Sequence, residues 1–125
     1  TDRRTARTLR EAGMVVLGDL QVANRVVVVV DARSMAMQPG IGACRGDSGG
    51  PILVEGGSGW RLAGIVSWSS GALRAAVPTA CGGFTAVTPL SEHGSWIAAR
   101  AADLRRLDAP TTWSSAPAAY DWRAR

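Results

Sequence analysis

The chain has 125 residues, which is enough for one small domain. Its hydrophobic content of 46% and its 15 glycines are typical of a globular β-rich protein and exclude a disordered chain. The net charge of +4 comes mainly from arginines near the two ends, and no basic patch alternates with aromatic residues between them, which argues against nucleic-acid binding.

The first third of the chain predicts two strands and a loop. Residues 1–13 are polar and rich in arginine, and we expect them to be irregular. The apolar run 14–17 predicts a short strand, and a turn-bearing connector is expected over 18–24. Five consecutive valines within 25–31 predict a second strand because β-branched side chains favour extended backbone. A loop with a proline and two glycines follows over 32–43.

A hairpin is predicted in the middle of the chain. Residues 51–54 predict a strand, residues 55–59 a glycine-rich turn, and residues 60–67 the returning strand. A long loop is expected over 68–82.

The last third predicts a strand, a helix and a tail. The strand is expected over 83–88 and the helix over 95–107, with four apolar residues on one helical face: Trp96, Ile97, Ala101 and Leu104. Residues 109–125 are rich in Ala, Pro and Ser, which predicts a flexible tail. No apolar run is long enough for a transmembrane helix, and no signal peptide is expected within these residues.

One stretch carries a specific chemical signal. Residues 43–51 read Ala-Cys-Arg-Gly-Asp-Ser-Gly-Gly-Pro, and residues 64–68 read Gly-Ile-Val-Ser-Trp. The hexapeptide starting at Gly46 resembles the nucleophile loop of the chymotrypsin/trypsin-like serine proteases, and the similarity extends from about Leu9 to Ile97. The resemblance implies an all-β fold. Residues 14–108 would form the second antiparallel β-barrel, incomplete for lack of its first strand, with a C-terminal α-helix. The N-terminal barrel would be missing.

The resemblance also implies a mechanism and its residues. Ser48 would be the nucleophile of a serine endopeptidase, and the backbone N–H groups of Gly46 and Ser48 would form the oxyanion hole. No residue matches the family's catalytic His or Asp. His93, the only histidine, precedes the terminal helix and reads as a surface or capping residue. We therefore expect the chain alone to be inactive, and a non-catalytic homologue that binds peptides is the alternative.

By the same resemblance, the substrate would be a protein or peptide held by two sets of residues. Ser67, Trp68 and Ser69 match the edge that pairs with substrate backbone. The pocket for the residue before the cut would have Gly42 at its base, next to Ala43, with Gly82, Gly83 and Phe84 as a wall. Because no carboxylate is present among these, the pocket is expected to be roomy and uncharged. No cofactor, metal, nucleic acid or membrane partner is expected.

Three further residues have implied structural roles. Cys44 and Cys81 match a family disulfide, which indicates an oxidising, extracellular compartment; two unrelated buried thiols are the alternative. The Asp47 carboxylate would turn inward to pair with an α-amino group, but Thr1-Asp2-Arg3 does not match the family's mature start, so no such partner is expected here. The nucleophile elbow of α/β-hydrolases, G-x-S-x-G, is rejected because a loop precedes Ser48 and a hairpin follows it.

Overall fold

The computed structural model describes residues 8–107, and the predicted tail over 109–125 lies outside them. The chain divides into two compact units, one ending at Ser91 and the other beginning at Glu92. The first unit contains five strands, which are in chain order β1 (Val15–Val22), β2 (Asn24–Val30), β3 (Pro51–Gly56), β4 (Gly59–Gly71) and β5 (Gly82–Pro89). The residues from 8 to 14 belong to no helix or strand.

All five strands belong to one antiparallel sheet, which confirms the predicted all-β fold. The strand order is β1-β2-β5-β4-β3, so β1 and β3 form the two edges and the sheet is not closed. An open sheet of this kind, followed by one C-terminal helix, is consistent with part of a trypsin-like fold.

The first hairpin corrects the prediction of a connector over 18–24. The strand β1 continues to Val22, and β2 starts at Asn24, so the turn is reduced to Ala23, whose φ is +56°. A bulge lies between Val16 and Gly18. The sequence Gly-Asp-Leu-Gln reads as a turn in isolation, but pairing with the valine-rich β2 keeps it extended.

The second hairpin also differs from the prediction. Its two strands meet at Gly56 and Gly59, which leaves a tight turn of two residues. The returning strand β4 does not end at Ser67 but continues to Gly71, because β5 pairs with it as far as the Gly71–Gly82 pair. The predicted loop over 68–82 is therefore too long, and residues 68–71 are strand.

The core of the first unit lies along β2 and β5. Val26, Val28, Val29 and Val30 are buried on β2, and Thr85, Ala86 and Val87 are buried on β5. These two strands are neighbours inside the sheet, whereas the edge strands β1 and β3 have no buried residue. Burial therefore follows position in the sheet more closely than hydrophobicity.

The second unit contains the predicted helix. A single 3₁₀ turn (Leu90–Glu92) leads to α1 (Gly94–Leu107), close to the predicted range of 95–107. Asp103 forms ion pairs with Arg100 and Arg106 along the helix, at 2.9 and 2.8 Å. Among the described residues no helix is long and apolar enough to span a membrane.

Candidate active site

The loop that carries Ser48 is fixed to β4 by backbone hydrogen bonds. The Gly49 N–H donates to the Val66 carbonyl at 2.8 Å, and the Val66 N–H donates to the Gly50 carbonyl at 2.9 Å. The Gly50 N–H also donates to the Asp47 carbonyl at 2.9 Å, which closes a tight turn around Ser48. Gly49 adopts a φ of +88°, a conformation that favours glycine. The loop therefore has a defined shape before any substrate binds.

The Ser48 hydroxyl is exposed and lies against the strand predicted to bind substrate. Its Oγ donates to the Ser67 carbonyl at 3.1 Å. The last β3–β4 pair on this side is Pro51 with Ile65, so the part of β4 beyond Ile65 has a strand partner only in β5. The structure thus brings a hydroxyl next to a strand segment whose other edge is not paired with any described strand.

The two predicted oxyanion donors are unengaged within the described part of the chain. Neither the Gly46 N–H nor the Ser48 N–H has an acceptor among those residues. Gly46 has a φ of +105°, which a side chain would make unfavourable. Both donors belong to the loop that holds the hydroxyl, and a group that stabilises a developing oxyanion has to lie within hydrogen-bond distance of that oxygen.

The glycines predicted for the pocket meet in space. A methyl group built on Gly42 would lie 3.5 Å from the Gly82 Cα and 3.6 Å from the Gly83 carbonyl oxygen. Gly82 in turn accepts a hydrogen bond of 2.8 Å from the Gly40 N–H. Gly42, predicted for the bottom of the pocket, is therefore adjacent to Gly82 and Gly83 of the predicted wall, although they are about forty residues apart in the chain.

The family model described as Trypsin matches residues 1–93. The chain belongs to the trypsin family. The matched range includes the five strands, the Ser48 loop and the pocket glycines, so the features described above lie inside the region of similarity.

The trypsin-type disulfide is present. Cys44 and Cys81 are bonded, which confirms the pairing implied by the resemblance and rules out two unrelated thiols. The bond joins the Ser48 loop to the segment entering β5. Both this disulfide and the trypsin family fit an extracellular protein.

The expectation that Asp47 turns inward is wrong. Its side chain is exposed, and its Oδ2 accepts a hydrogen bond from the Cys44 N–H at 2.8 Å. The reason is local: the turn from Cys44 to Asp47 places a free N–H within reach of the carboxylate, so burial is not required to satisfy it.

Two polar residues that support this trypsin-family site were missed in the sequence. Thr85 is only 1% exposed, and its Oγ1 accepts from the Ala43 N–H at 3.0 Å. Asp31 is buried at the end of β2, where it accepts hydrogen bonds from the N–H groups of Arg33 (2.9 Å) and Ile41 (3.1 Å), and these bonds lower its pKa. The only signal for Asp31 was a polar residue at the end of an apolar strand, which is also common at ordinary turns, whereas Thr85 lies within β5, where a threonine is an ordinary strand residue.

His93 belongs to the second unit. It is exposed at the start of α1, where its carbonyl accepts from the Ile97 N–H at 2.9 Å. Since it is the only histidine in the chain, residues 1–91 contain none. Nor do the described residues hold a cluster of three or more side chains suited to binding a metal ion.

Proposed function

We propose that this chain carries the nucleophile and substrate strand of a serine endopeptidase, and that the general base comes from residues outside it. The observation that carries the proposal is the position of the Ser48 hydroxyl, 3.1 Å from the Ser67 carbonyl and in a loop whose Gly46 and Ser48 N–H groups have no acceptor among the described residues. Serine endopeptidases need a hydroxyl, donors for the oxyanion and a strand that positions the peptide, and this unit supplies candidates for all three.

The proposed reaction follows from these positions. A peptide extends along the free edge of Ser67–Ser69, and Ser48 Oγ attacks the carbonyl carbon of the bond to be cut. The oxygen of that carbonyl becomes negatively charged and accepts hydrogen bonds from the N–H groups of Gly46 and Ser48. The amine leaves with the proton from the hydroxyl, and water later releases the acyl group from Ser48. A base must carry that proton, and residues 1–91 offer no imidazole.

The pocket supports a preference for uncharged residues before the cut. Gly42, Gly82 and Gly83 contribute no charge, and the nearest side-chain atom to the position of a Gly42 methyl group is the uncharged Thr85 Oγ1, at 3.5 Å. A complete enzyme should therefore cut after uncharged, apolar residues. Peptide substrates that vary only this residue would test it, and a strong preference for Arg or Lys would contradict the pocket assignment.

A second candidate is a homologue that binds peptides without cutting them. It is favoured by the absence of a histidine from the unit that holds Ser48. The strand edge and the pocket would remain usable for binding, because neither depends on proton transfer. An upstream coding sequence with a Thr-Ala-Ala-His-Cys-like segment would favour the enzyme over this alternative.

The test is covalent labelling of purified residues 1–125 with a serine-directed fluorophosphonate. We expect at most trace labelling of Ser48, since a serine without its base retains only a small residual rate. Ser48→Ala provides the background, and His93→Ala should behave as the unaltered chain does. Stoichiometric labelling of Ser48 that His93→Ala abolishes would overturn the view that the base is supplied from elsewhere.

A further inference from the structure

The loops on either side of the pocket glycines are joined to one another. The first loop comprises residues 32–43 and the second comprises residues 72–80. The Leu73 N–H donates to the Ala36 carbonyl at 2.8 Å, and the Arg74 N–H donates to the Met37 carbonyl at 3.0 Å. These two bonds place consecutive residues of one loop against consecutive residues of the other, so the pair presents one surface.

The first loop adopts an unfavourable backbone conformation to present that surface. Met35 and Ala36 both have positive φ, +46° and +59°, a backbone region that residues other than glycine rarely adopt. Ala36 is fully buried, while Met35 and Met37 on either side of it are exposed. The buried Asp31 holds the same loop through the N–H groups of Arg33 and Ile41. The loop is thus held in a shape that exposes two methionines.

The surface is apolar and positively charged. We define the Met–Arg surface by five exposed residues of the two loops: Arg33, Met35, Met37, Leu73 and Arg74. Residues 32–43 and 72–80 contain no Asp or Glu, and Arg74 forms no ion pair within the described part of the chain, whereas the Arg33 charge is felt by the buried Asp31 carboxylate. The Arg74 charge, together with Arg33 and the exposed Met and Leu side chains, is complementary to an acidic segment that also carries apolar residues.

We propose that the Met–Arg surface binds an acidic, apolar segment of another protein. This goes beyond the proposed function, because such binding requires neither Ser48 nor a general base. An anionic membrane would share some of this chemistry, but two arginines are fewer than the clusters of basic residues that bind charged bilayers, and stable anchoring requires a second strong signal. Methionine side chains adapt their shape to different partners, which suits binding to a peptide.

The direct test is fluorescence anisotropy with short labelled peptides and the full chain. The probe alternates Asp with Leu; one control peptide alternates Lys with Leu, and a second alternates Asp with Ser. We expect the first to bind at least tenfold more tightly than either control, and its affinity to fall as salt is added, because exposed charges are screened. Vesicles of phosphatidylcholine with and without phosphatidylserine provide the membrane arm.

Matched variants locate the binding surface. Arg74→Glu should weaken binding of the Asp–Leu peptide by up to about tenfold, since reversal turns an attraction into a repulsion. Arg61→Glu, at another exposed arginine that has no ion pair among the described residues, should change it less than twofold. Leu73→Ser should weaken binding about threefold or more, whereas Leu104→Ser on α1 should not; these leucines are 67% and 65% exposed. Circular dichroism checks that each variant is folded.

Three results would overturn the proposal. One is no measurable binding of the Asp–Leu peptide at millimolar concentration. Another is equal weakening by Arg74→Glu and Arg61→Glu, which would show that binding depends only on total charge. The third is binding to phosphatidylserine vesicles in the absence of peptide binding, which would assign the surface to a membrane instead.

Discussion

The Ser48 loop and the outer strands of the sheet are stabilised in opposite ways. The loop is exposed, but it is fixed by backbone bonds to Val66, by the Cys44–Cys81 disulfide and by the Asp47 contact to Cys44. The outer strands β1 and β3 are regular and rich in apolar side chains, yet no residue on either strand is buried. An exposed loop can therefore be fixed by backbone hydrogen bonds and a disulfide, while regular strands rich in apolar residues can lie outside the core.

The effect of a substitution on stability should differ between these two regions. At Gly82 and Gly83, across from the Ser48 loop in the disulfide-linked segment, backbone atoms of neighbouring segments approach so closely that an added methyl group has no room, whereas Gly46 and Gly49 in the loop itself have open space around them. On β1 the side chains already face open space, so substitutions there remove few contacts. We expect the sensitive positions to be the small or polar residues around the site, and the large apolar residues of the outer strands to be tolerant.

The largest expected effect is that of Gly83→Ala. Its methyl group would clash with the backbone of Gly71 and would lie 2.7 Å from the Ala72 nitrogen, so backbone must move at a cost of about 3 kcal/mol in unfolding free energy. Gly42→Ala, whose methyl group would meet only ordinary contacts at 3.5 Å or more, is the matched control. Val16→Ala on β1, at a side chain 69% exposed, should change stability by less than about 0.5 kcal/mol. Urea denaturation measures all three, and equal losses would contradict the comparison.

Reduction of the disulfide should have the next largest effect. Cys44 and Cys81 are 37 residues apart, and closing a loop of this length stabilises a protein by about 2–4 kcal/mol. Denaturation of the chain with and without a thiol reductant, compared with a Cys44→Ala/Cys81→Ala double variant, measures the difference. The reductant should have no effect on the double variant. Two titratable thiols in unreduced, denatured protein made under oxidising conditions would contradict the pairing.

A smaller effect is expected from Thr85→Val. This change keeps the shape of the side chain but leaves the Ala43 N–H without its acceptor, which costs about 1–3 kcal/mol. Thr88→Val on the same strand is the control, since the Thr88 hydroxyl makes no hydrogen bond within the described residues. Thr85→Ser should restore most of the loss. Equal stability of the two valine variants would show that the Thr85 bond does not contribute.

The smallest expected effect is an acid dependence due to Asp31. Backbone N–H bonds from Arg33 and then Ile41 lower its pKa in the folded protein. Its contribution to stability is therefore complete above its unfolded pKa of about 3.9 and is lost as pH falls through the lower folded value. Asp31→Asn should flatten the decline of the urea midpoint below about pH 4.

Local signals in the sequence were sufficient for the elements with a strong pattern. Five valines predicted β2, the spacing of Trp96 to Leu104 predicted α1, and the Gly46–Pro51 hexapeptide pointed to the trypsin family. The predictions failed at residues 18–24 and 68–71, where weakly patterned segments are extended only because a neighbouring strand pairs with them. Pairing between distant strands depends on the whole sheet, so it cannot be predicted from a short segment of the sequence.

The sequence by itself determined the residue types of the candidate site, which are a serine in a glycine-rich loop, a cysteine pair and uncharged residues at the predicted pocket positions. Only the tertiary structure decided that Ser48 lies against Ser67, that Asp47 is exposed, and that Thr85 and Asp31 support the loops. The physical reason is the range of the interactions. Motifs and propensities act over a few residues, whereas the contact between Ala43 and Thr85 joins positions 42 residues apart, and it forms only when the sheet has assembled.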